Sequence, residues 1–374
     1  MTDKADITII GAGVVGLAIA AEVAREGREV YILEKNDTFG KDQSSRSAEV
    51  IHAGLYHAAD SLKTRLCLEG NRRLYELCQE HAITHTRCGK IMMATSPAEE
   101  VQLAKLFRQG QANGAPVQML SPQEMHRIEP NLVATSAFFS PSTGTVDSYG
   151  LMKFFLGKAQ DKGASLACRA EAIAIKKIPD GYEVRVKGNP DYTFITRILI
   201  NSAGLYSDRV AELAGIDTRT ANYRVRLSKG EFYSVGGHKD RHINHLIYPV
   251  PMPNGPGIHI CFDAERKLRL GPLFSSVEEV DYKMDDSRRS DFLNSSIMRA
   301  LPIIEPSDLE PESTGIMVQL SNVAGGFNDF IIRHEHERAL PGLINLIGIG
   351  SPGLTSSPAI AKYVRRMVEE ILYP

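Results

Sequence analysis

A short apolar run that passes into a glycine-rich turn constrains the fold of this chain more than any other feature. Residues 7–16 read Ile-Thr-Ile-Ile-Gly-Ala-Gly-Val-Val-Gly. The run predicts a buried parallel strand, and the residues after the turn predict a helix from about Val14 to Glu26 that stops at Gly27. This order of strand, Gly-x-Gly-x-x-Gly turn and helix is typical of a dinucleotide-binding unit.

The three glycines of the turn each have a physical reason in such a unit. Gly11 permits the tight turn, Gly13 lets a pyrophosphate approach the backbone, and Gly16 lets the helix pack closely on the strand. We expect the amides of Val14 and Val15 and the helix dipole to hold the phosphates. A glycine-rich turn in an ordinary α/β protein is the alternative interpretation.

An acidic residue follows the next apolar segment. The segment Glu29–Leu33 predicts a second strand, and Glu34 comes directly after it. Its distance from the glycines suits a carboxylate that accepts hydrogen bonds from an adenosine ribose, and an acid there would repel the 2′-phosphate of NADP. The sequence therefore predicts a dinucleotide site for a ligand without that phosphate.

Composition limits the class of protein and its partners. A chain of 374 residues suits two domains, and a net charge of -2 gives no reason to expect nucleic acid as a partner. No apolar run approaches the ~20 residues that span a bilayer, and no signal peptide is visible. We expect no integral membrane segment and a cytoplasmic location, with peripheral association at a membrane left open.

The cysteines and histidines do not indicate a metal site or a disulfide framework. The five cysteines are an odd number without a Cys-x-x-Cys pair, which favours reduced thiols in a cytoplasmic protein. The segment Arg333-His334-Glu335-His336-Glu337 has the composition of a metal site, but a solvated turn is the more common structure for such a pattern. We predict no bound metal.

The remaining pattern predicts an α/β part and an α+β part. Helices are expected near 61–81, after Ser96 and Ser121 (each followed by proline and by glutamate at the third position), near 147–163 and at 357–372. Strands are expected at 170–178, 182–186, 198–200 and 343–350. From about Thr220 to Gln319, strand-like runs with one helix near 285–300 predict an antiparallel sheet.

Two downstream segments favour FAD over NAD. The strand Ile198–Ile200 ends in Asn201-Ser202-Ala203-Gly204, and a loop, Gly348-Ile349-Gly350-Ser351-Pro352-Gly353-Leu354-Thr355, precedes the last helix. We expect a helix N-terminus at Thr355, where amides could stabilise an anionic edge of a reduced flavin. A plain strand-to-helix turn is the alternative.

These segments together resemble the D-amino-acid oxidase-like FAD-dependent oxidoreductase superfamily. Within it, the segment from Ser44 to Tyr56, together with Ser61-Leu62-Lys63, Leu66-Cys67, Lys229-Gly230 and Pro256-Gly257-Ile258-His259, is similar to the L-2-hydroxyglutarate dehydrogenase/oxidase branch. Glycerol-3-phosphate dehydrogenases have a similar serine-rich segment, so this segment is a better marker of the superfamily than of the substrate. The resemblance covers essentially the whole chain.

The resemblance implies a discontinuous, Rossmann-like FAD-binding domain and an antiparallel-sheet substrate domain. The first would comprise residues 1–85, 142–218 and 325–374, and the second 86–141 and 219–324. It implies hydride transfer from a C–H bond next to oxygen or nitrogen, with electrons then passing to oxygen, a quinone or another carrier. The implied cofactor-binding residues are Gly11, Gly13, Val14, Val15, Gly16, Glu34, Lys35, Ser44, Ser45, Arg46, Ser47, Ala172, Ala203, Gly204, Gly350, Gly353, Leu354 and Thr355.

Oxidation of a hydroxy acid needs a proton acceptor for the hydroxyl and a cation for the carboxylate. His52 lies in the segment that by resemblance runs beside the flavin ring, and His259 lies in a predicted strand on the face opposite to its isoleucine neighbours. Lys229 could contact flavin or substrate, and Tyr56 could line the cavity. The alternatives are a structural histidine, an exposed lysine, core packing for Tyr56 and, for Arg46, a structural ion pair.

One position departs from the superfamily pattern. Many members carry an arginine after a Gly-aliphatic pair near the end of the substrate domain, whereas this chain reads Gly315-Ile316-Met317. A thioether cannot replace a guanidinium that binds a carboxylate in bidentate fashion. Either another cation replaces it, with Arg226, Lys229 and Arg333 as candidates, or the substrate is less charged there.

Three functions remain open at this point. An FAD-dependent dehydrogenase or oxidase of a small 2-hydroxy acid such as L-2-hydroxyglutarate is the leading hypothesis. An amine or amino-acid oxidase on the same fold is the second, since the same cofactor geometry serves C–N and C–O substrates. A non-catalytic flavin-binding protein is the third.

Overall fold

The computed structural model describes residues 4–251, 257–321 and 329–373. The chain divides into two compact units. The first unit comprises Met1–Ser45, Ser148–Leu227 and Met317–Pro374, and the second comprises Arg46–Asp147 and Ser228–Ile316.

Within the described residues, both units contain helices and strands. The helices are α1 (Val14–Val23), α2 (Leu62–Glu80), α3 (Pro97–Ala112), α4 (Pro122–Ile128), α5 (Ser148–Gln160), α6 (Ser207–Leu213), α7 (Arg289–Leu293), α8 (Ser296–Ala300) and α9 (Gly353–Leu372). The strands are β1 (Lys4–Ile10), β2 (Val30–Glu34), β3 (Val50–Ile51), β4 (His85–Thr86), β5 (Lys90–Ala94), β6 (Gln118–Leu120), β7 (Ser136–Ser140), β8 (Gly144–Val146), β9 (Ser165–Cys168), β10 (Glu171–Ile178), β11 (Gly181–Lys187), β12 (Tyr192–Asn201), β13 (Val225–Val235), β14 (Leu246–Pro249), β15 (His259–Phe262), β16 (Leu268–Val277), β17 (Leu309–Leu320), β18 (Ile331–His334) and β19 (Leu343–Ile347).

The first unit contains a mixed sheet around a parallel centre. The strand order is β10-β11-β12-β1-β2-β9, and β19 pairs with β12 and β18. Strands β9, β2, β1, β12 and β19 are parallel, whereas β10, β11 and β18 add antiparallel pairs. Because the carboxyl ends of parallel strands meet at one edge, the turns after β1, β2, β12 and β19 lie along the same edge.

Helix α1 is buried on nearly all sides and packs against α5 and α9. It ends at Val23, so the predicted end at Glu26 was wrong by about one turn. The Arg28 guanidinium donates to the carbonyl of Val23 at 2.8 Å, and the Arg28 amide donates to the carbonyl of Arg25. The helix therefore ends at a last turn capped by Arg28, and residues 25–28 form a turn instead of continuing the helix.

The second unit is built on a sheet with the order β17-β13-β16-β15-β14-β5-β7-β6, beside a small sheet β3-β8-β4. Its antiparallel pairs include β14 with β15, β15 with β16 and β5 with β7. Strand β14 nevertheless pairs with β5 in parallel, which the sequence did not predict. The reason is that β5 and β7 come from an earlier part of the chain and extend the sheet at β14.

Of the two capping motifs predicted at helix starts, the structure forms one completely and the other in part. Ser121 and Glu124 form the complete predicted capping box at α4. At α3, Ser96 accepts from the Glu99 amide as predicted, but the Glu99 carboxylate accepts from the amide and hydroxyl of Thr95 instead. The predicted helix at 285–300 is divided into a 3₁₀ turn, α7 and α8, because the chain turns where the Ser295 hydroxyl caps the carbonyl of Phe292.

The units divide the chain at other residues than the predicted domain boundaries. Residues 46–85 and 142–147, which we assigned to the FAD-binding domain, lie in the second unit, and residues 219–227 and 317–321, which we assigned to the substrate domain, lie in the first. Hydrogen bonds explain the first difference: β3 pairs with β8, and the Asn71 amide donates to the carbonyls of His52 and Ser142. The predicted boundary at residues 324 and 325 lies outside the described residues.

Candidate functional site

The glycine-rich turn of the first unit is built as the sequence predicts. Gly11 has φ of +102°, and a Cβ there would lie 2.6 Å from the carbonyl oxygen of Ser202. A Cβ at Gly16 would collide with the carbonyl of Gly11. Near Gly13 a Cβ would meet only the Ser44 hydroxyl, at 3.0 Å, so no bulky side chain covers the backbone there. Both the turn and the close helix–strand contact therefore require glycine.

The first turn of α1 lacks an acidic residue and a side-chain cap from its N-cap, Gly13. Instead, the Val14 amide donates to the Ser44 hydroxyl at 3.0 Å, and Val15 is half-buried in the same turn. An uncovered glycine backbone at the positive end of a helix is a suitable site for an anionic phosphate. These residues therefore fit a pyrophosphate group.

Glu34 is buried at the carboxyl end of β2, with 6% of its surface exposed. Its carboxylate accepts from the amides of Ala12 at 3.0 Å and Asn36 at 2.8 Å. Each carboxylate oxygen keeps a second lone pair, so the group can accept further hydrogen bonds from ribose hydroxyls. Beside it, Lys35 forms an ion pair with Asp42 at 3.2 Å and lies over the ring of Tyr206.

The segments after β12 and around β10 lie at the same edge of the sheet. The Ala203 amide donates to the Asn201 side chain at 3.2 Å, and Gly204 begins a 3₁₀ turn. Ala172 is buried in β10, which starts just after the Ala170 amide donates to the carbonyl of Glu34. The structure therefore brings these predicted residues to the neighbourhood of the glycine turn within the first unit.

A residue that the sequence analysis missed, Gln43, holds the loop before α9. Its side-chain amide donates to the carbonyl of Ile349 at 2.8 Å, and its oxygen accepts from the amide of Val318 at 2.9 Å. No sequence signal distinguishes it from its polar neighbours. Helix α9 begins at Gly353, two residues before the predicted start at Thr355, and its N-cap Pro352 provides no side-chain cap. Gly350, Leu354 and Thr355 lie in this loop and first turn.

The serine-rich segment is divided between the units after Ser45. The Ser45 amide donates to the carbonyl of Gly40, and the Ser47 hydroxyl accepts from the Glu49 amide at 3.2 Å. The Arg46 guanidinium lies 4.0 Å from the ring centre of Tyr282 and donates to the carbonyl of Thr314 at 3.4 Å. In the second unit, Arg46 therefore binds the chain near the start of the Gly315-Ile316-Met317 stretch.

The second unit groups three of the four predicted catalytic residues around a lysine, and we call this set the lysine cluster: His52, Tyr56, Lys90, Tyr248 and His259. Lys90 is fully buried, and its ammonium donates to the Tyr56 hydroxyl at 2.9 Å. The same nitrogen lies 4.6 Å from the ring centres of Tyr56 and Tyr248.

Sheet register places three of these side chains in one row. Lys90 begins β5, and Met92 of β5 pairs with Tyr248 of β14. Ile247 pairs with Ile260, which sets Tyr248 opposite His259 of β15. Because paired residues share a face of a sheet, Lys90, Tyr248 and His259 project from the same face. The predicted orientation of His259, opposite to its isoleucine neighbours, agrees with this register.

His259 is buried, with 3% of its surface exposed, and its Nδ1 lies 2.8 Å from the carbonyl of Gly257. A carbonyl only accepts, so Nδ1 carries the proton and Nε2 of the neutral ring is an acceptor. That Nε2 is buried and has no hydrogen-bond partner among the described residues. A buried acceptor of this kind suits a ligand that donates a hydrogen bond.

Burial lowers the pKa of each basic group in the cluster, and repulsion between these groups adds to the effect for the two histidines. Burial, with repulsion from Lys90 and His259, holds the pKa of His52 well below its ordinary value. Burial lowers the pKa of His259 to about 3 and that of Lys90 to about 7. Burial also raises the pKa of Tyr56, so its phenol stays protonated. At neutral pH the two histidines are therefore acceptors rather than cations.

Lys229, the fourth predicted catalytic residue, lies elsewhere in the second unit. Its ammonium donates to the Asp281 carboxylate at 3.1 Å and to the carbonyl of Lys283. It is buried rather than exposed, with a side chain 8% accessible. The structure therefore pairs Lys229 with an acid and places Lys90, which the sequence analysis missed, in the cluster. The only signal for Lys90 was a lysine directly before the apolar run Ile-Met-Met-Ala.

The segment with the composition of a metal site forms a strand end and a 3₁₀ turn. The His334 ring accepts from the Gly342 amide at 2.9 Å, and Arg333 pairs with Glu337 at 3.4 Å. Within residues 4–251, 257–321 and 329–373, no group of three or more His, Cys, Asp and Glu side chains could hold a metal ion. The five cysteines are free thiols, and no helix in the same ranges is long and apolar enough to cross a membrane.

Comparisons with known proteins cover nearly the whole chain. The model of the family described as FAD dependent oxidoreductase matches residues 6–367. The L-2-hydroxyglutarate dehydrogenase, mitochondrial, of Arabidopsis thaliana is 33% identical over 97% of this chain and 83% of its own. The L-2-hydroxyglutarate dehydrogenase of Escherichia coli K12 is 26% identical over 98% of this chain and 94% of its own.

Solved structures share the fold. The dithionite-reduced L-alpha-glycerophosphate oxidase of Mycoplasma pneumoniae, with FAD bound, has a TM-score of 0.88 at 23% identity and covers 98% of this chain and 95% of its own. The glycine oxidase of Geobacillus kaustophilus has a TM-score of 0.83 at 23% identity and covers 99% of this chain and 95% of its own. A glycerophosphate oxidase and a glycine oxidase thus share this fold, so the fold alone does not identify the substrate.

Proposed function

The chain belongs to the FAD-dependent oxidoreductase family, and from that premise we propose that it oxidises the C2 hydroxyl of a small 2-hydroxy acid, with L-2-hydroxyglutarate as the named candidate. The names of the Arabidopsis and Escherichia coli relatives support this substrate. The structural observation that carries the proposal is the lysine cluster, where two neutral histidines lie in the electrostatic field of a buried lysine. A proton acceptor and a cation are the two groups that a hydroxy acid requires.

FAD is the cofactor, and we assign its pyrophosphate to the turn from Gly11 to Gly16 and its adenosine ribose to Glu34. The uncovered backbone at Gly13 and the remaining lone pairs of the Glu34 carboxylate support this assignment. When bound, FAD supplies the two-electron acceptor for a hydride. The loop held by Gln43 before α9 is the proposed contact with the flavin ring, together with the serine-rich segment.

The chain's own groups handle the proton. As the C2–H bond breaks and its hydride leaves, the hydroxyl proton must pass to a base, and the product is a 2-oxo acid. We assign His52 as this base because its segment is the one that resembles the flavin-flanking segment of the superfamily. Nε2 of His259 is the proposed acceptor that orients the hydroxyl, because it is buried, unprotonated and unpartnered among the described residues.

The two electrons then leave to oxygen, a quinone or another carrier. Mixing the photoreduced enzyme with each acceptor in a stopped-flow instrument measures which one reoxidises the flavin. Rapid reoxidation by a quinone with slow reaction towards oxygen would indicate a dehydrogenase, and the reverse would indicate an oxidase.

Anaerobic reduction of the bound flavin tests the substrate. Purified protein should be yellow and release FAD on denaturation, and L-2-hydroxyglutarate should bleach its flavin absorbance bands. The matched controls are D-2-hydroxyglutarate, the neutral diamide of L-2-hydroxyglutarate, L-glycerol 3-phosphate, glycine and L-proline. Bleaching only by amines would establish the amino-acid oxidase alternative. A retained flavin that none of these compounds bleaches would favour a non-catalytic flavin-binding protein.

A further inference from the structure

Among the described residues, Lys90 has no ion-pair partner, although the groups around it favour a cation. Its side chain is fully buried, and one proton of its ammonium group is used in the hydrogen bond to Tyr56. The faces of the Tyr56 and Tyr248 rings, each 4.6 Å away, attract a cation but do not neutralise it. No carboxylate lies within ion-pair distance of Lys90 among the described residues, whereas the buried Lys229 is paired with Asp281.

The groups around Lys90 are neutral at neutral pH. The ionisable side chains that face it are His52, Tyr56, the Cys67 thiol on α2, Tyr248 on β14 and His259 on β15. Strand β7, which pairs Ser140 with Lys90, carries no ionisable side chain. On α3, which packs against β5, the ionisable side chains are half-buried or exposed: Glu99, Glu100, Lys105 and Arg108.

The cations expected from the sequence to replace the missing arginine are less suitable. Lys229 is neutralised by Asp281, and Arg333 is 45% exposed and paired with Glu337. Arg226 is exposed in the first unit. The half-buried Met317 has no charge to offer. A buried ammonium without an ion-pair partner, in contrast, carries a desolvation cost that an anionic ligand beside it would offset.

We propose that Lys90, held by Tyr56 and seated between the rings of Tyr56 and Tyr248, binds the C1 carboxylate of the 2-hydroxy acid and so replaces the arginine that Gly315-Ile316-Met317 lacks. This inference rests on the proposed function, and it names the residue that would give the enzyme its preference for substrates with a carboxylate. The C1 carboxylate is chosen over a distal one because Lys90 and His259, which is assigned to the C2 hydroxyl, project from the same sheet face beside Tyr248. That hydroxyl and the C1 carboxylate are on adjacent carbons.

Binding of product analogues to the oxidised holoenzyme tests the contact without turnover. The dissociation constants of 2-oxoglutarate and of 2-oxobutyrate, which lacks the distal carboxylate, are measured from the perturbation of the flavin spectrum. Lys90→Met should raise both constants by roughly 10- to 100-fold, as expected for a lost hydrogen bond to a charged group. Lys90→Arg should recover part of the affinity, and the exposed Lys105→Met is the control that should change neither constant.

Proton uptake in wild type provides a second readout that needs no variant. A carboxylate beside Lys90 favours the ammonium form, so binding of 2-oxoglutarate above pH 7 should take up close to one proton, and binding at pH 6 should take up little. Calorimetric titrations in buffers of different ionisation enthalpy measure this number. Lys90→Arg should abolish the uptake, because a guanidinium stays charged throughout this range.

Three results would overturn the proposal. A loss in Lys90→Met confined to 2-oxoglutarate would assign Lys90 to the distal carboxylate, and unchanged constants would remove it from the site. Proton uptake that persists in Lys90→Arg would assign the proton to His52 or His259. Failure of the proposed function gives a different result from failure of the Lys90 assignment. In the first case L-2-hydroxyglutarate would leave the flavin oxidised, whereas the binding of 2-oxo acids tests Lys90 separately.

Discussion

The imidazole of His259 lies nearly parallel to the phenol ring of Tyr248, with ring centres 3.6 Å apart and 20° between the planes. The β14–β15 register places the two residues opposite each other, and the hydrogen bond of Nδ1 to the Gly257 carbonyl fixes the rotation of the imidazole. Stacking and hydrogen bonding therefore hold Nε2 in one direction before any ligand arrives. Such preorganisation is what an acceptor for a hydroxyl proton or hydrogen bond needs.

His52→Gln and His259→Gln should separate the base from the orienting group. Removal of a general base typically costs a factor of about 10² to 10⁴, so His52→Gln should lower the anaerobic flavin reduction rate by at least about 100-fold. His259→Gln keeps an acceptor and should lower it by only about 10-fold, as expected for one hydrogen bond. The rates are measured by stopped-flow reduction with L-2-hydroxyglutarate, and the reverse order would exchange the two assignments.

Lys90 should make the protein less stable at neutral pH than at high pH. Burial lowers its pKa to about 7 from 10.5, so between these values the unfolded chain binds more protons than the folded one. Stability from this group therefore rises with pH across that window, by up to about 1.4 kcal/mol per pH unit, and the penalty is complete below pH 7.

The measurement is the difference in Tm between Lys90→Met and wild type. Lys90→Met should melt higher than wild type at pH 7, and the difference should shrink towards pH 10. Lys105→Met serves as the control with no pH-dependent difference. A constant or growing difference would mean that Lys90 is not buried as an uncompensated cation.

Glu34→Gln should weaken the retention of FAD by about 1–3 kcal/mol, because the loss of charge weakens the ribose hydrogen bonds and the contact with the Ala12 amide. The loss is measured from the FAD remaining after exhaustive dialysis, against Asp37→Asn as the exposed acidic control. Equal retention in both variants would remove Glu34 from the cofactor site.

Two glycine substitutions on helices of the first unit should have opposite effects. Gly16→Ala should cost about 1–3 kcal/mol or more and reduce FAD content, because its Cβ collides with the carbonyl of Gly11. In Gly157→Ala no atom lies within 4 Å of the new Cβ, and better helix propensity should stabilise the protein by about 0.5–1 kcal/mol. Thermal melting with flavin fluorescence measures both, and a neutral Gly16→Ala would contradict the close helix–strand packing.

Met317→Arg should change the reduction rate with L-2-hydroxyglutarate by less than about threefold if Lys90 already binds the carboxylate. The informative comparison is the double variant with Lys90→Met. Recovery of hydroxy-acid reduction in the double variant would show that either position can supply the cation. If wild type is not reduced by L-2-hydroxyglutarate but Met317→Arg is, the natural substrate is not a 2-hydroxy acid.

Local signals in the sequence predicted local structure well. The strand–glycine–helix unit, the acid at the end of β2, the cap at Ser121 and the start of α2 after Ser61 all depend on residues within a few positions of each other. The end of α1 was wrong because Arg28, five residues beyond Val23, caps its last turn. Helix α9 begins at Gly353, two residues before the predicted N-terminus at Thr355 and four before the predicted helix at 357–372, and it contains Pro358 in its interior.

The amino-acid sequence by itself predicted the glycine-rich turn and its α/β unit, because these depend on backbone conformation and short-range contacts, and its resemblance to a family pointed to His52 as a candidate base. Tertiary structure alone decided that Lys90, and not Lys229, lies beside the two histidines. Lys90 meets Tyr248 and His259 because β14, more than 150 residues later in the chain, pairs with β5, and β15 pairs in turn with β14. Long-range strand pairing of this kind cannot be predicted from the few residues around a lysine. It nevertheless decides which side chains surround that lysine in the folded protein.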